Sequence, residues 1–150
     1  MTHTYRSQYF HLIWSTKLRK PWINAEIQSR LYPYMAAITR NNDAQLISIG
    51  GMDEHVHLLI ECKNIDKFTS LVRDIKANSS KWVNNTFDIQ NKFSWQEGYA
   101  SYSVSYSAIP NIKHYIQNQE EHHRNMSFDN EYKILLNKHD ISYDARFVLG

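Results

Sequence analysis

Two histidines one residue apart, His55 and His57, are the residues of this chain best suited to chemistry. They open the apolar run Leu58-Leu59-Ile60, which predicts a strand, and side chains at positions i and i+2 of a strand project from the same face. Two imidazoles placed in this way can share one metal ion. The same spacing also suits a pair that faces solvent or a hydrogen-bonded core, so the pair alone leaves these alternatives open.

A second group of reactive side chains lies later in the chain, on a predicted helix. Tyr115, Gln119 and His122 are spaced at i, i+4 and i+7, which places them on one stripe of that helix. A tyrosine hydroxyl and a carboxamide oxygen can therefore face the same point. An ordinary polar helix surface with a tyrosine at its border would have the same spacing.

The strands that position the histidines follow from residue type and alternation. Aromatic and β-branched residues separated by polar turn residues predict four strands. These strands cover residues 9–14, 45–49, 55–61 and 99–106. The second and third are predicted to form a hairpin that presents His55 and His57, and an irregular segment is predicted at 93–98.

Three helices and a short helical pattern are predicted between and after these strands. Asn24 is expected to cap the first helix, whose apolar side chains from 27 to 38 are spaced by three and four residues. Asp66 is expected to cap the second, which runs to about Thr86, and Pro110 to open the third, which runs to about Arg124. A short helical pattern covers 132–136.

The order of these elements is strand, helix, strand, strand, helix, strand, helix. It predicts an α+β fold with a ferredoxin-like or RRM-like antiparallel sheet, two helices on one face, and a C-terminal helix that carries Tyr115. The 150 residues fit one domain, predicted over 1–150. Because this fold hosts many activities, function must be argued from the site.

Composition limits the classes of protein that remain. No apolar run is long enough to span a bilayer and the N-terminus lacks the apolar core of a signal peptide, so we expect a cytoplasmic protein with no membrane partner. The sequence has no Gly-x-x-x-x-Gly-Lys phosphate loop, so we expect no nucleotide cofactor. A net charge of +2 is by itself weak support for a nucleic-acid partner.

Six cations lie near tryptophans in the sequence. The cations are Lys17, Arg19, Lys20, Arg73, Lys76 and Lys81, and the rings are Trp14, Trp22 and Trp82. Interleaved cations and rings suit a surface that neutralises phosphates and stacks bases. The alternative is that the rings belong to the core and the cations to a solvated face.

Five segments, taken in order, resemble the single-tyrosine transposases of the HUH superfamily. These enzymes are encoded by bacterial and archaeal insertion sequences, and some relatives are associated with repetitive extragenic palindromes. The segments are 11–17, 55–60, 95–99, 115–123 and 141–147, so the resemblance covers nearly the whole chain. It departs at Asp53-Glu54, where relatives often place proline and then Asn or Asp, a difference that concerns the turn rather than the ligands.

The resemblance implies a DNA transposase. Tyr115 would be the nucleophile, leaving a 5′-phosphotyrosine and a free 3′ hydroxyl, while His55, His57 and Gln119 would bind a divalent ion. A mixed nitrogen and oxygen set suits Mg²⁺ or Mn²⁺. The implied substrates are single-stranded DNA hairpins at element ends, and the six cations are candidates for the DNA-binding surface. The implied assembly is a homodimer in which the tyrosine helix of one subunit can complete the histidine site of the other.

Three other interpretations stay open. A domesticated, palindrome-associated relative would use the same chemistry for another task. A non-enzymatic RNA or DNA binder on the same sheet would stack bases on aromatic side chains and would not need His55, His57 and Tyr115 together. A small zinc hydrolase is disfavoured because no third His, Asp or Glu ligand stands at a recognisable spacing.

Overall fold

Four strands form one antiparallel sheet in the computed structural model, which describes residues 3–89, 91–144 and 146. The strands are β1 (Gln8–Ser15), β2 (Ala44–Gly51), β3 (His55–Cys62) and β4 (Ala100–Val104). They lie in the order β2-β3-β1-β4, and each is antiparallel to its neighbours. The predicted ferredoxin-like α+β sheet is confirmed, with β1 and β3 at its centre.

Two long helices cover one face of this sheet, as predicted. They are α1 (Ala25–Asn41) and α2 (Phe68–Thr86). The Asn24 side chain caps α1 by accepting a hydrogen bond from the backbone N–H of Ile27 at 2.9 Å. The prediction that Asp66 caps α2 is wrong, because a 3₁₀ turn at Ile65–Lys67 precedes the helix. Asn64 caps that turn by accepting from the backbone N–H of Asp66.

Alternation along the central strands divides their side chains between two faces. Leu12 and Trp14 of β1 join Val56, Leu58 and Ile60 of β3 in the core against α1 and α2. Each fully buried side chain of this size stabilises the fold by about 1.5–3 kcal/mol. The intervening residues of both strands, including the histidines of β3, therefore face the opposite side of the sheet.

Three further helices lie toward that opposite side. They are α3 (Ile109–Gln117), α4 (Gln119–His122) and α5 (Phe128–Lys138). The prediction of one continuous helix from Pro110 to Arg124 is wrong, because the helix breaks at Asn118. The Gln119 side chain donates to the Tyr115 carbonyl at 3.1 Å and so takes the place of the backbone bond that would continue the helix.

Helix α5 is held against the sheet by a second apolar cluster. Phe128, Tyr132 and Leu136 of α5 pack with Ile13 and Tyr102 of the sheet. The Ser127 side chain caps α5 by accepting from the backbone N–H of Asn130 at 3.2 Å. The short helical pattern predicted at 132–136 is thus confirmed and is part of a longer helix.

The connecting segments agree with the predictions except at β4. The segment 93–98 is irregular, and Gln96 there accepts a hydrogen bond from the Ser15 backbone N–H at 2.8 Å. Strand β4 is shorter than predicted, because a 3₁₀ turn begins at Tyr106. Ala145 and Phe147 of the 141–147 segment lie outside the described residues.

None of the described helices combines the length and the apolar character needed to cross a membrane.

Gly50 of β2 allows α3 to approach the sheet closely. A Cβ atom at this position would collide with the backbone carbonyl oxygen of Ile116, which follows Tyr115 in the chain. We expect Gly50→Ala to push α3 away and to lower the free energy of unfolding by about 1–3 kcal/mol, measured by urea denaturation. Gly98→Ala is the matched control, because an added Cβ there meets no atom within 4 Å. Equal stability of the two variants would contradict this account of Gly50.

Candidate active site

The two histidines of β3 lie side by side on the face covered by α3 to α5. Both His55 and His57 are fully buried, and their ring centroids are 5.1 Å apart. The prediction that they share a strand face is confirmed. Two polar rings buried this deeply must find partners within the protein.

The Nδ1 atom of each of these histidines already has a partner. His55 Nδ1 donates to a carboxylate oxygen of Glu54 at 2.5 Å, and His57 Nδ1 lies 2.9 Å from Nε2 of His11. Both Nε2 atoms therefore remain to face the interior of the site. Fixing one ring nitrogen so that the other points at a common centre is the arrangement found around metal-binding histidines.

The Nε2 atoms meet oxygen atoms that come from α4 and α5. Glu131 Oε1 lies 3.1 Å from His57 Nε2, 3.6 Å from His55 Nε2 and 3.0 Å from Nε2 of a third histidine, His123. Gln119 Oε1 lies 3.0 Å from the Nε2 atoms of both His55 and His123. One donor atom from each of the three histidines and from Glu131 lies within 4.8 Å of the others. Imidazole nitrogens and carboxylate or carboxamide oxygens are donors that divalent ions accept, so these residues fit a metal ion.

Glu131 carries the negative charge of this site. Burial by itself would raise the pKa of Glu131, but hydrogen bonds from His123, His57 and Tyr115 hold the pKa well below its usual range. Burial lowers the pKa of His57 to about 4, and the hydrogen bond to Glu131 opposes that shift only in part. The site thus holds a carboxylate beside a neutral His57 imidazole, which donates a hydrogen bond to that carboxylate through Nε2.

Tyr115, at the end of α3, places its hydroxyl at the edge of this cluster. The hydroxyl donates to Oε2 of Glu131 and lies 3.3 Å from Nε2 of His122. The Tyr115 ring centroid is 5.6 Å from that of His57. Burial, together with the adjacent negative charge of Glu131, raises the pKa of Tyr115 above its ordinary value. The hydroxyl therefore rests in its neutral form.

The structure brings together every predicted residue of the reactive centre. Tyr115 and Gln119 lie beside His55 and His57 even though the helix that was predicted to align them is broken at Asn118. His114, which is close to Tyr115 in sequence, is exposed and contacts Asn118 instead.

Sequence reasoning missed His123 and Glu131. His123 follows Gln119 by four residues, a spacing that could have placed it on the same helical face. Glu131 gives no such signal, because it reaches the site only when α5 folds back over the sheet. The argument that no third histidine or carboxylate is available to a zinc site is therefore wrong.

The six predicted DNA-binding cations fall into two groups. Lys17, Lys20, Arg73 and Lys81 are exposed. Arg19 instead forms an ion pair with Asp129 of α5 at 2.7 Å and donates to Ser15. The Lys76 ammonium group donates to the backbone carbonyls of Gln96, Glu97 and Gly98 at 2.8, 3.0 and 2.9 Å. Arg19 and Lys76 thus serve contacts within the protein.

The predicted mixture of exposed rings and cations does not form. Trp14 is fully buried, and Trp22 and Trp82 are partly buried against the core. The indole of Trp82 stacks on Tyr34, with ring centroids 4.7 Å apart. These three tryptophans belong mainly to the core, which was the alternative interpretation of the pattern.

Comparison with known proteins identifies similar chains. The family described as "Transposase IS200 like" matches residues 4–119. The ISDra2 transposase TnpA of Deinococcus radiodurans is 25% identical over 124 residues, which cover 79% of this chain and 88% of that protein. A crystal structure from D. radiodurans R1, described as that of a candidate transposase, has a TM-score of 0.65 at 25% identity, covering 79% of this chain and 95% of that chain.

A second solved structure shares the fold at lower identity. It is a REP-associated tyrosine transposase bound to a REP hairpin, with a TM-score of 0.58 and 15% identity. The match covers 77% of this chain and 70% of that chain.

Lys76 and Lys81 on α2 should respond differently to substitution. Lys76→Met leaves three carbonyls without their donor, so we expect the free energy of unfolding to fall by about 1–3 kcal/mol in urea denaturation. Lys81→Met removes an exposed charge and should change the free energy of unfolding by less than about 0.5 kcal/mol. If Lys76→Met were as stable as the unmodified protein, the structural role given to Lys76 would be wrong.

The buried pair His11 and His57 should make the protein sensitive to acid. Burial lowers both pKa values, to about 3 for His11, where the charge of His57 contributes, and to about 4 for His57. Because the unfolded chain binds these protons near pH 6.5, the two histidines stabilise the fold above that pH and this stability is lost as the pH falls toward 4. Each unit of lowered pKa corresponds to about 1.4 kcal/mol.

Urea denaturation at several pH values with a chelator present measures this effect. His11→Gln keeps a polar side chain but cannot titrate, so we expect its free energy of unfolding to fall less steeply between pH 6.5 and 4. Identical slopes for His11→Gln and the unmodified protein would show that His11 does not contribute.

Proposed function

The chain belongs to the family of IS200-like transposases, and we propose that its reaction is metal-assisted cleavage and rejoining of single-stranded DNA at hairpin-marked ends. The observation that carries this proposal is the position of the Tyr115 hydroxyl beside the histidine pair of β3, with the Tyr115 and His57 ring centroids 5.6 Å apart. A nucleophile and a set of donors for a divalent ion are the two parts that a phosphoryl-transfer site of this kind needs.

Tyr115 is the proposed nucleophile. Its oxygen forms a bond to a DNA phosphorus while the bond from that phosphorus to the 3′ oxygen breaks, which leaves a 5′-phosphotyrosine and a free 3′ hydroxyl. Glu131 Oε2, which already accepts the hydrogen bond from the Tyr115 hydroxyl, is placed to take its proton. The 3′ hydroxyl of another strand can reverse the step without ATP, because the phosphotyrosine is an ester of the same kind as the bond that was broken.

His55, His57 and Gln119 are the proposed ligands of a divalent ion, Mg²⁺ or Mn²⁺ as the family resemblance implies. The Nε2 atom of His55 lies 3.0 Å from the carboxamide oxygen of Gln119, so their lone pairs can serve one centre. Such an ion, when bound, neutralises negative charge on the scissile phosphate and on the leaving oxygen.

The exposed cations Lys17, Lys20, Arg73 and Lys81 are the proposed contacts to the DNA backbone. Binding through phosphate contacts should weaken steeply as salt concentration rises. The structural neighbour bound to a REP hairpin supports a hairpin as the substrate feature to test first. DNA as the substrate also fits the cytoplasmic location expected from the sequence.

A homodimer with a shared active site is part of the proposal. In the structure Tyr115 lies beside His57 of its own chain, so the donors and the nucleophile can also meet within one subunit. Mixing a Tyr115→Phe chain with a His57→Ala chain tests sharing directly. Activity regained by the mixture requires a site built from two chains.

The geometry of the sheet argues against a stacking module and is compatible with a domesticated relative. A non-enzymatic stacking module of the RRM type needs exposed aromatic side chains on the sheet. The sheet face toward α3 to α5 instead presents buried groups, among them His11, Ile13, His55 and His57. A domesticated, palindrome-associated relative would use the same residues. Hairpins that flank both gene ends would indicate a mobile element, whereas scattered genomic palindromes would indicate the domesticated relative.

Covalent capture of DNA tests the proposed reaction. We expect incubation of the protein with labelled, hairpin-bearing single strands and Mg²⁺ or Mn²⁺ to give a protein–DNA adduct on a denaturing gel. Tyr115→Phe should abolish the adduct because it removes the attacking oxygen, and His57→Ala should reduce it strongly.

Tyr106→Phe is the matched control, because Tyr106 is an exposed tyrosine just before α3 and lies outside the cluster. It should form the adduct at the unmodified level. An adduct that survives Tyr115→Phe, or no adduct with any of the DNA ends that flank the gene, would overturn the proposed mechanism.

A further inference from the structure

His55 and His123 direct their Nε2 atoms toward oxygen atoms inside the site. The Nδ1 atoms of these two histidines face a Glu54 carboxylate oxygen at 2.5 Å and the Met126 carbonyl oxygen at 2.6 Å. Both oxygens only accept hydrogen bonds, so both Nδ1 atoms must carry hydrogen. In a neutral imidazole the other nitrogen then carries a lone pair. The Nε2 atom of a neutral ring is therefore an acceptor, whereas that of a protonated ring donates to the oxygen it faces, as His123 does to Glu131.

The atoms that face these Nε2 atoms are acceptors. Gln119 Oε1 lies 3.0 Å from Nε2 of both His55 and His123, and Glu131 Oε1 lies 3.0 Å from Nε2 of His123. The Gln119 amide cannot be turned around without loss, because its Nε2 donates to the Tyr115 carbonyl. Lone pairs that face lone pairs repel each other unless a positive centre lies between them. The Nε2 hydrogens of His57 and His123 fill the contacts with Glu131 in this structure. One cation bound by all of these atoms would take the place of those hydrogens and would also separate His55 Nε2 from Gln119 Oε1.

The spacing of the donor atoms suits a single ion. Donors bound at about 2.1 Å to one ion lie about 3.0–3.4 Å from their nearest neighbours. The nitrogen atoms of His57 and His123 lie 3.1 and 3.0 Å from Glu131 Oε1, and that of His55 lies 3.6 Å from it. The side chain of Glu131 is almost completely buried, so this oxygen is committed to the cluster and not to solvent.

His57 also has a partner on the side away from the centre, namely His11. The Nε2 atom of His11 lies 2.9 Å from Nδ1 of His57, and His11 is itself buried. When His57 Nε2 binds a cation, its Nδ1 carries the hydrogen and donates to His11. All three histidines thus have a partner on the side away from the centre, namely a carboxylate, an imidazole and a backbone carbonyl.

Two of these residues lie beyond the part of the chain that matches the family. The match ends at residue 119, whereas His123 follows α4 and Glu131 belongs to α5. We propose that His123 and Glu131 are ligands of the same ion as His55 and His57. The centre of this chain then adds a third imidazole and a carboxylate to His55, His57 and Gln119, and it selects a first-row transition ion over Mg²⁺.

The ion selection follows from the donor types. Mg²⁺ prefers oxygen ligands and gives up water reluctantly, whereas imidazole nitrogens suit the later first-row ions. This inference rests on the proposed function only for the presence of a divalent ion. It replaces the earlier choice between Mg²⁺ and Mn²⁺ with a first-row transition ion that binds imidazole.

Titration of the metal-free protein with Co²⁺ tests the proposal without DNA. We expect one equivalent of Co²⁺ to bind with visible absorption bands, and a hundredfold excess of Mg²⁺ to leave these bands in place. His123→Ala and Glu131→Gln should each weaken Co²⁺ binding at least about tenfold, because even groups that only support metal ligands cost 10–100-fold when removed. His114→Ala and Glu120→Gln, which change exposed residues nearby, should bind Co²⁺ as the unmodified protein does.

Anomalous diffraction from crystals of the unmodified protein with Co²⁺ gives a second test that needs no variant. The proposal requires the ion within bonding distance of His123 Nε2 and Glu131 Oε1. An ion bound only by His55, His57 and Gln119, displacement of Co²⁺ by equimolar Mg²⁺, or no Co²⁺ binding at all would overturn it. Failure of the proposed function looks different, because it would leave Co²⁺ bound by all four residues in a protein that forms no DNA adduct.

Discussion

The buried negative charge of Glu131 holds Tyr115 and the histidines together in one cluster. Glu131 is 1% exposed, and an isolated carboxylate at such a depth would cost several kcal/mol. Hydrogen bonds from the Tyr115 hydroxyl and from imidazoles on β3 and after α4 offset that cost. Tyr115 and the histidines are consequently held by one group, with Oε2 toward Tyr115 and Oε1 toward the histidines.

The two faces of the sheet differ in role, because one packs the apolar core and the other carries the buried histidines. The face toward α1 and α2 is apolar, and its packing fixes β1 and β3 at the centre of the sheet. The other face carries His11, His55 and His57 on these same central strands, so the packing of the core also fixes the positions of the imidazoles. A site built on central strands is held more precisely than one built on loops. The apolar cluster around Phe128 then fixes α5, and with it Glu131, over that face.

The sequence predicted the features that a single strand or helix determines. It missed the features that depend on contacts between several elements. Period-two alternation was enough to place His55 and His57 on one face, and cap and spacing rules located the helices to within a few residues. The break at Asn118 was missed because it depends on a side-chain hydrogen bond from Gln119 that periodicity does not encode. Glu131 was missed because its position depends on how α5 packs, and Lys76 looked like a free surface cation because the carbonyls it binds belong to an irregular segment.

The limit of family similarity and the limit of the active site do not coincide in this chain. A fragment designed to stop at residue 119, where the match ends, would keep Tyr115 and the β3 histidines but would lose the carboxylate that holds them. It would also uncover Ile13 and Tyr102, which α5 now shields from water. Domain boundaries drawn from similarity alone would therefore yield an aggregation-prone protein whose histidines lack Glu131, and its behaviour would say little about the 150-residue chain.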